Sequence, residues 1–348
     1  MTTPTTRTPR LDRGRWAQPG PETVEPGVHR IPLPLPDDGL RAVNVYVLEG
    51  LTEGLVLVDG GWSIPESRTA LEDALTRLGH DLGEISHVLV THIHRDHYTQ
   101  AVELRRLLGS QVYLGAGERC GLELLGELRT DEPVGSLGTL RRAGAHELAE
   151  RVAAMYHGDF DPTVWEAPDR WLREEELHFG ETRLAVVPTP GHTQGHVVYL
   201  DRARGLLFSG DHVLPHITPS IGFELGGPEL PLGDYLNSLH LMTTLADARL
   251  LPAHGPVGAS VHERVAELLA HHDDRLSETL TALGDRTRTA YDVAGELGWT
   301  RRRVSFTDLG PFDRMLAVNE TAAHLDVLVA RGGATCTQTD GVNRYTAR

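Results

Sequence analysis

The chain has 348 residues, 40 per cent of them hydrophobic and 24 per cent charged, and carries a formal net charge of −16. That balance describes a globular protein able to bury a sizeable core, and it argues against a surface built to neutralise phosphates, because nucleic-acid affinity comes from cationic side chains that release counterions. All 33 basic residues are arginine, which excludes Schiff-base chemistry through lysine and leaves arginine, a backbone N–H or a metal to hold any anionic substrate group.

The length suits a main domain with a smaller one attached. Residues 1–26 hold five prolines and read as a flexible or surface-draped arm. Met1 to Gly20 lacks an apolar stretch, and no run of about 18 apolar residues occurs anywhere, so neither a signal peptide nor a membrane span is expected and the cytoplasm is the default location. Cys120 and Cys336 are too few for a disulfide framework. Val28–Leu33, Val43–Leu48 and Leu55–Asp59 read as successive antiparallel strands, ended by Gly60-Gly61. Ser67 to Leu78 then carries apolar residues at helical spacing.

The apolar run Ile85–Val90 leads into Thr91-His92-Ile93-His94-Arg95-Asp96-His97. Three imidazoles and a carboxylate packed so closely suit neither a core nor a simple turn, whereas a metal ion satisfies all of them. On an α-helix His92 and His94 would point about 200° apart; in an extended segment, positions two apart share a side and can face one ion. Asp96 and His97, beyond the strand end, are free to turn toward a second ion. The segment therefore reads as strand, metal loop, then helix over Tyr98–Leu108.

A strand at Gln111–Leu114 and a helix at Gly117–Leu128 follow. Residues 130–173 are less legible: an insertion with mixed helical signals, suited to a lid, a wall of a substrate cleft or a surface excursion packed on itself. Strands resume at Thr182–Val187, His196–Leu200 and Gly205–Phe208, with a helix at Gly233–Ala246, a strand at Leu250–Pro252 and a long helix at Ser260–Leu276. The order gives an α+β architecture, two sheets with helices outside, an αββα sandwich over residues 27–275. Residues 276–348 form a distinct small module with helices at Ala290–Leu297 and Asn319–Ala330 and a hairpin from Ala334 to Thr346, resembling a winged helix. From Thr281 onward it has nine arginines against eight acidic residues, so packing or dimerisation is favoured over DNA binding.

Three further stretches fall at strand ends, where a rigid scaffold presents functional side chains: Thr189-Pro190-Gly191-His192-Thr193-Gln194-Gly195-His196, Ser209-Gly210-Asp211 and Pro252-Ala253-His254-Gly255. In this order, the four stretches resemble the metallo-β-lactamase superfamily over about residues 25–275. The resemblance implies that His92, His94 and His192 hold one metal, that Asp96, His97 and His254 hold a second, and that Asp211 bridges them. It implies two divalent ions, zinc first, although oxygen and nitrogen donors also accept iron or manganese. His196 is expected to be structural, since the first histidine of the matching motif is the one that coordinates. His212 and His216, flanking Asp211, and Tyr156 and His157 in the insertion are candidate substrate contacts. His271 and His272 read as a solvated helix face.

A water shared by two such ions loses its proton near neutral pH. The expected activity is therefore hydrolysis of a small ester, thioester or lactone, with Asp96 and Asp211 as the catalytic carboxylates and Asp96 orienting the attacking hydroxide. The metal shell is similar to that of hydroxyacylglutathione hydrolases. The tail resembles that of an endoribonuclease subgroup of the superfamily, which gives RNA cleavage as the alternative; a DNA-binding regulator acting through the C-terminal module is a third reading. The expected partner is a small molecule, with no membrane and little place for nucleic acid, and homo-oligomerisation is open.

Overall fold

A computed structural model describes residues 14–36, 38–128, 131–156, 158, 160–222 and 229–348. Two sheets stack face to face. The first runs β1 (Glu22–Glu25), β2 (Val28–Pro34), β3 (Ala42–Leu48), β4 (Leu55–Val58), β5 (Ile85–Leu89), β6 (Gln111–Gly115) and β7 (Arg170–Leu172) in spatial order. Its first four strands are antiparallel, and the pairs from β4 to β7 are parallel. The second comprises β8 (Glu175–Phe179), β9 (Thr182–Pro188), β10 (Val197–Asp201), β11 (Leu206–Gly210) and β12 (Arg249–Pro252), with only the β11–β12 pair parallel.

Period-two alternation builds the layers. Along β3, Tyr46 and Leu48 enter the core between the sheets while Val43, Val45 and Val47 face the outer helices. On β10, Val197 and Tyr199 turn inward, and Val198 and Leu200 turn out. Every one of these positions is apolar because both faces of each sheet are covered. The inter-sheet core is closed by Tyr46 set edge-on against Phe208, with ring centroids 5.3 Å apart.

Helices α1 (Pro65–Leu78), α2 (Arg95–Leu108) and α3 (Arg119–Glu127) cover the first sheet. The second sheet is covered by a larger assembly: α4 (Val134–Arg142), α5 (His146–Ala153), α6 (Pro231–Thr244), α7 (Val261–Leu283), α8 (Ala290–Glu296) and α9 (Pro311–Ala330) share one apolar cluster with β9, β10 and β11. The strand pair β13 (Gly298–Trp299) and β14 (Val304–Ser305) lies between α8 and α9, and the hairpin β15 (Ala334–Thr339) with β16 (Val342–Ala347) closes the chain.

Several expectations need correcting. Glu22–Glu25 pairs with β2, so the arm ends well before residue 26; of the four strand residues only Val24 is buried, which hides the strand from pattern reading. The metal-loop helix starts at Arg95, three residues earlier than expected. A single helix, α7, runs through position 275. The insertion supplies α4 and α5, and these pack against α9. His272 is 2 per cent exposed, with Nδ1 3.2 Å from His324 Nε2. α9 covers the flank of α7 that local sequence reads as solvated, and burial pushes the His272 imidazole down to about 2.

Candidate metal centre

Four strand ends meet on one edge of the sandwich. The loop after β5 gives way to α2, whose first turn holds Asp96 and His97. The loop between β9 and β10 carries His192, Asp211 follows β11, and His254 follows β12. Gly210, just before Asp211, has φ +51, and a Cβ there would lie 2.6 Å from Thr91 Oγ1 and 2.7 Å from His196 Nε2. Glycine is thus required for β11 to turn its carboxylate into the cluster.

The seven residues that the sequence singled out come together. His94 Nδ1 lies 3.0 Å from both His92 Nε2 and His192 Nε2, and His192 Nε2 is 3.5 Å from Asp211 Oδ2. The other oxygen of that carboxylate, Oδ1, is 3.8 Å from His97 Nε2 and 3.4 Å from His254 Nε2. Asp96 Oδ2 is 3.6 Å from His97 Nε2 and 3.4 Å from His254 Nε2. Tetrahedral ligands about 2.0–2.1 Å from a zinc ion stand about 3.3 Å apart, the separation these donor atoms show. Among the described residues, three overlapping groups could hold a metal: His92, His94 and His192; His92, His97 and Asp211; Asp96, His97 and His254.

Two further observations test the fit. His97 Nε2, His254 Nε2 and Asp211 Oδ1 are buried with no hydrogen-bond partner, a costly state unless a cation takes them. The opposite ring nitrogens are anchored: His97 Nδ1 to Asp59 Oδ2 at 2.9 Å, His192 Nδ1 to the Ser220 carbonyl at 2.8 Å and His254 Nδ1 to the Ala42 carbonyl at 2.8 Å. Each anchor accepts the Nδ1 proton and so turns Nε2 into the cluster as the nitrogen that would ligate. Asp59 also accepts from the Thr91 amide and hydroxyl at 2.8 and 2.9 Å, which locks the metal loop to the end of β4. Sequence reading saw Asp59 only as a strand end. Its one signal was a carboxylate just before Gly60-Gly61, where the backbone adopts φ 63.

The surroundings charge the cluster unevenly. Burial pushes His94 down to about 3 and His192 to about 4, keeping both neutral and able to ligate. Burial also opposes a charge on His97, yet the carboxylates of Asp59, Asp96 and Asp211 overcome it and raise the imidazole to about 10. In the metal-free protein His97 is therefore cationic at neutral pH, and an incoming cation must displace its proton. Zinc titration of apoprotein near neutral pH is expected to release about one proton, read as a dependence of the calorimetric heat on the buffer's ionisation enthalpy. A heat independent of buffer would contradict this charge state.

His196 is fully buried; its Nδ1 bonds Thr189 Oγ1 at 2.8 Å, and its Nε2 accepts the Asp211 amide at 3.2 Å. It holds the Asp211 backbone in place. His212 is also fully buried, its ring against those of His196 and Tyr235 at centroid distances of 6.0 and 5.3 Å. The structure thus packs it inside rather than presenting it to a substrate. His216 is half-buried, and its carbonyl accepts from Arg301, tying this loop to the C-terminal segment. Tyr156 is half-buried at the end of α5, close enough to feel the charge of Arg95. His157 lies outside the described residues. His94 and Asp96 are the partly exposed members of the cluster, so the open side lies there, beside Arg95 stacked 4.4 Å over the Trp62 ring.

Residues 38–254 match the family described as the metallo-beta-lactamase superfamily, and the chain belongs to it. It is a metal-dependent hydrolase, with the histidine and aspartate cluster above as its candidate centre. A probable metallo-hydrolase of Bacillus subtilis, YqjP, is 24 per cent identical over 323 residues, covering 88 per cent of this chain and 92 per cent of that one. The atrochrysone carboxyl ACP thioesterase of Aspergillus fumigatus is 25 per cent identical over 262 residues, 73 per cent of this chain and 48 per cent of its own length. Among solved structures, a metallo-beta-lactamase family protein from Thermus thermophilus superposes with a TM-score of 0.75 at 29 per cent identity, covering 94 per cent of this chain and all of the other. A beta-lactamase domain protein from Burkholderia ambifaria gives 0.74 at 28 per cent, covering 94 and 95 per cent. No described helix is long and apolar enough to cross a membrane.

Proposed function

We propose that this protein holds two divalent ions, with zinc as the first candidate and iron or manganese as alternatives, and hydrolyses a small carboxylic ester, thioester or lactone. The observation that carries the reading is the division of labour at Asp211, whose Oδ2 faces His192 while Oδ1 faces His97 and His254. His92, His94 and His192 complete the first set, Asp96, His97 and His254 the second. A thioesterase among the relatives supports the acyl substrate class.

These residues would hold the ions, which when bound would supply a water with its pKa lowered to about 7 and a Lewis acid for a carbonyl oxygen. Asp96, at the open side, accepts a hydrogen bond from the attacking water and so aims its lone pair at the carbonyl carbon. Thr91 and Asp59 hold the loop rigid, and the anchored imidazoles cannot turn away during turnover. No serine or cysteine nucleophile is needed, and neither Cys120 nor Cys336, both exposed, belongs to the ligand groups.

The helices α7 to α9 with the β15–β16 hairpin make a winged-helix-like tail, supported by an extra bridge between Arg288 and Tyr345. Packing is the role the contacts favour: α9 lies against α4, α5, α6, α7 and α8, which leaves it poorly placed to enter a nucleic-acid groove.

The reading is tested by elemental analysis of purified protein and by a panel of thioesters, esters and lactones assayed before and after chelation. About two metal equivalents, with turnover lost on chelation and restored on adding zinc, is the expected result. Turnover that survives complete chelation, or none across the panel, would overturn it.

A further inference from the structure

Behind the first set of imidazoles lies a buried carboxyl group that belongs to none of the ligand groups found among the described residues. Glu118 stands in the short turn Ala116–Glu118, at the corner where β6 gives way to α3, and its side chain is closed off from solvent. Its Oε1 accepts the Ile93 amide at 3.3 Å and the Thr193 hydroxyl at 2.5 Å. Ile93 sits between His92 and His94, and Thr193 directly follows His192. One oxygen atom therefore ties together the two loops that supply all three histidines of the first set.

The corner reaches the His192 loop because both sides lack a side chain where they cross. A Cβ on Gly115 would lie 1.9 Å from the Gly195 carbonyl oxygen, and one on Gly195 would lie 2.1 Å from the Glu118 backbone nitrogen. Only glycine permits so close a backbone approach, and the approach seats the Glu118 carboxyl group between the loops. A buried carboxyl group is costly unless donors meet it. Here they come from the metal-loop backbone and from Thr193, itself fully buried. The second set is held by other groups, His97 by Asp59 and His254 by the Ala42 carbonyl.

Resting on the two-ion reading above, we infer that Glu118 is a positioning residue for the first ion: its Oε1 sets the spacing between the loop of His92 and His94 and the loop of His192, and so arranges three imidazoles for one cation. The effect is confined to the loops. Val197 donates its amide to the Thr91 carbonyl at 2.9 Å, and the Tyr199 hydroxyl donates to that of Val90 at 2.8 Å, so the strand ends beneath stay joined without Glu118. Each ion thus has its own buried carboxyl support, Glu118 behind the first and Asp59 behind the second.

The test is zinc affinity, measured by competition with a chromophoric chelator on wild type, Glu118→Ala, Glu118→Gln and Thr193→Val after their metal is stripped. Glu118→Ala should weaken one of the two ions by about 10–100-fold and spare the other. Glu118→Gln keeps an acceptor oxygen and should restore most of the loss. Thr193→Val removes only the hydroxyl donor; it should weaken the same ion, and combined with Glu118→Ala should add nothing further. Placed in His94→Ala, where the first set is already broken, Glu118→Ala should leave the remaining ion's affinity unchanged. Equal weakening of both ions, or Glu118→Gln as damaging as Glu118→Ala, would overturn the assignment. Deuterium exchange of the metal-stripped proteins separates this from failure of the two-ion reading, which fails if wild type takes up fewer than two zinc ions. Faster exchange of the Ile93 amide in Glu118→Ala, reversed in Glu118→Gln, supports the tie at any metal count, and unchanged protection in Glu118→Ala refutes it.

Discussion

Asp211→Ala is expected to lose metal from both ligand sets at once and to lower turnover by on the order of 10³-fold or more, because the ions supply several kcal/mol of charge stabilisation that depends on their being held together. Among the described residues, its carboxylate is the one group whose two oxygens face different clusters of imidazoles. Replacing His94 instead removes a donor close to His92 and His192 alone, so it should deplete the first set and spare the second. Metal analysis of the two variants after dialysis, with far-UV dichroism to confirm folding, distinguishes these outcomes. Wild-type metal content in Asp211→Ala would mean that this carboxylate does not hold the pair together.

A second large effect is expected at a residue that touches no metal. Asp59 accepts the Nδ1 proton of His97 and the Thr91 amide. Asparagine has the same shape and tolerates the left-handed backbone at this position, φ 63. Its amide, however, can donate to His97 Nδ1 and so drive the ring proton onto Nε2, where a metal must bind. Asp59→Asn should therefore weaken the second ion by about 10–100-fold, the usual loss for such supporting partners. Competition with a chromophoric chelator would measure it. Unaltered affinity for both ions would show that the carboxylate serves the loop and not the ring.

Much of this was legible in the chain because the signals are local. Near-continuous apolar runs in Val43–Leu48 and Leu55–Val58 encode strands covered on both faces, and His92, His94, Asp96 and His97 lie so close together that their chemistry is visible without a fold. What escaped depends on distant partners. The strands Glu22–Glu25, Arg170–Leu172 and Glu175–Phe179 are short and largely polar, and only pairing with β2, β6 and β9 defines them. Asp59 is a lone carboxylate until His97, 38 residues on, turns toward it. His272 looks like a surface histidine until α9 arrives, and His212 like a substrate contact until Tyr235 packs edge-on beside it.

The insertion shows the same dependence from the other side. Leu137 and Leu140 in α4, and Leu148 and Val152 in α5, recur at helical spacing, but the elements that bury them lie far along the chain, so their place in the fold is not visible locally.

The shared apolar cluster of α4 to α9 bears on how this enzyme could be re-engineered. Transplanting the tail as a cassette, with a junction near residue 275, would sever α7 midway and uncover His272. It would also strip the insertion of its backing and open the cavity lined by α4 and α9. Chimeras should instead exchange residues 134–153 and 261–348 as one unit, for those two stretches have to match each other before either can fit the catalytic half.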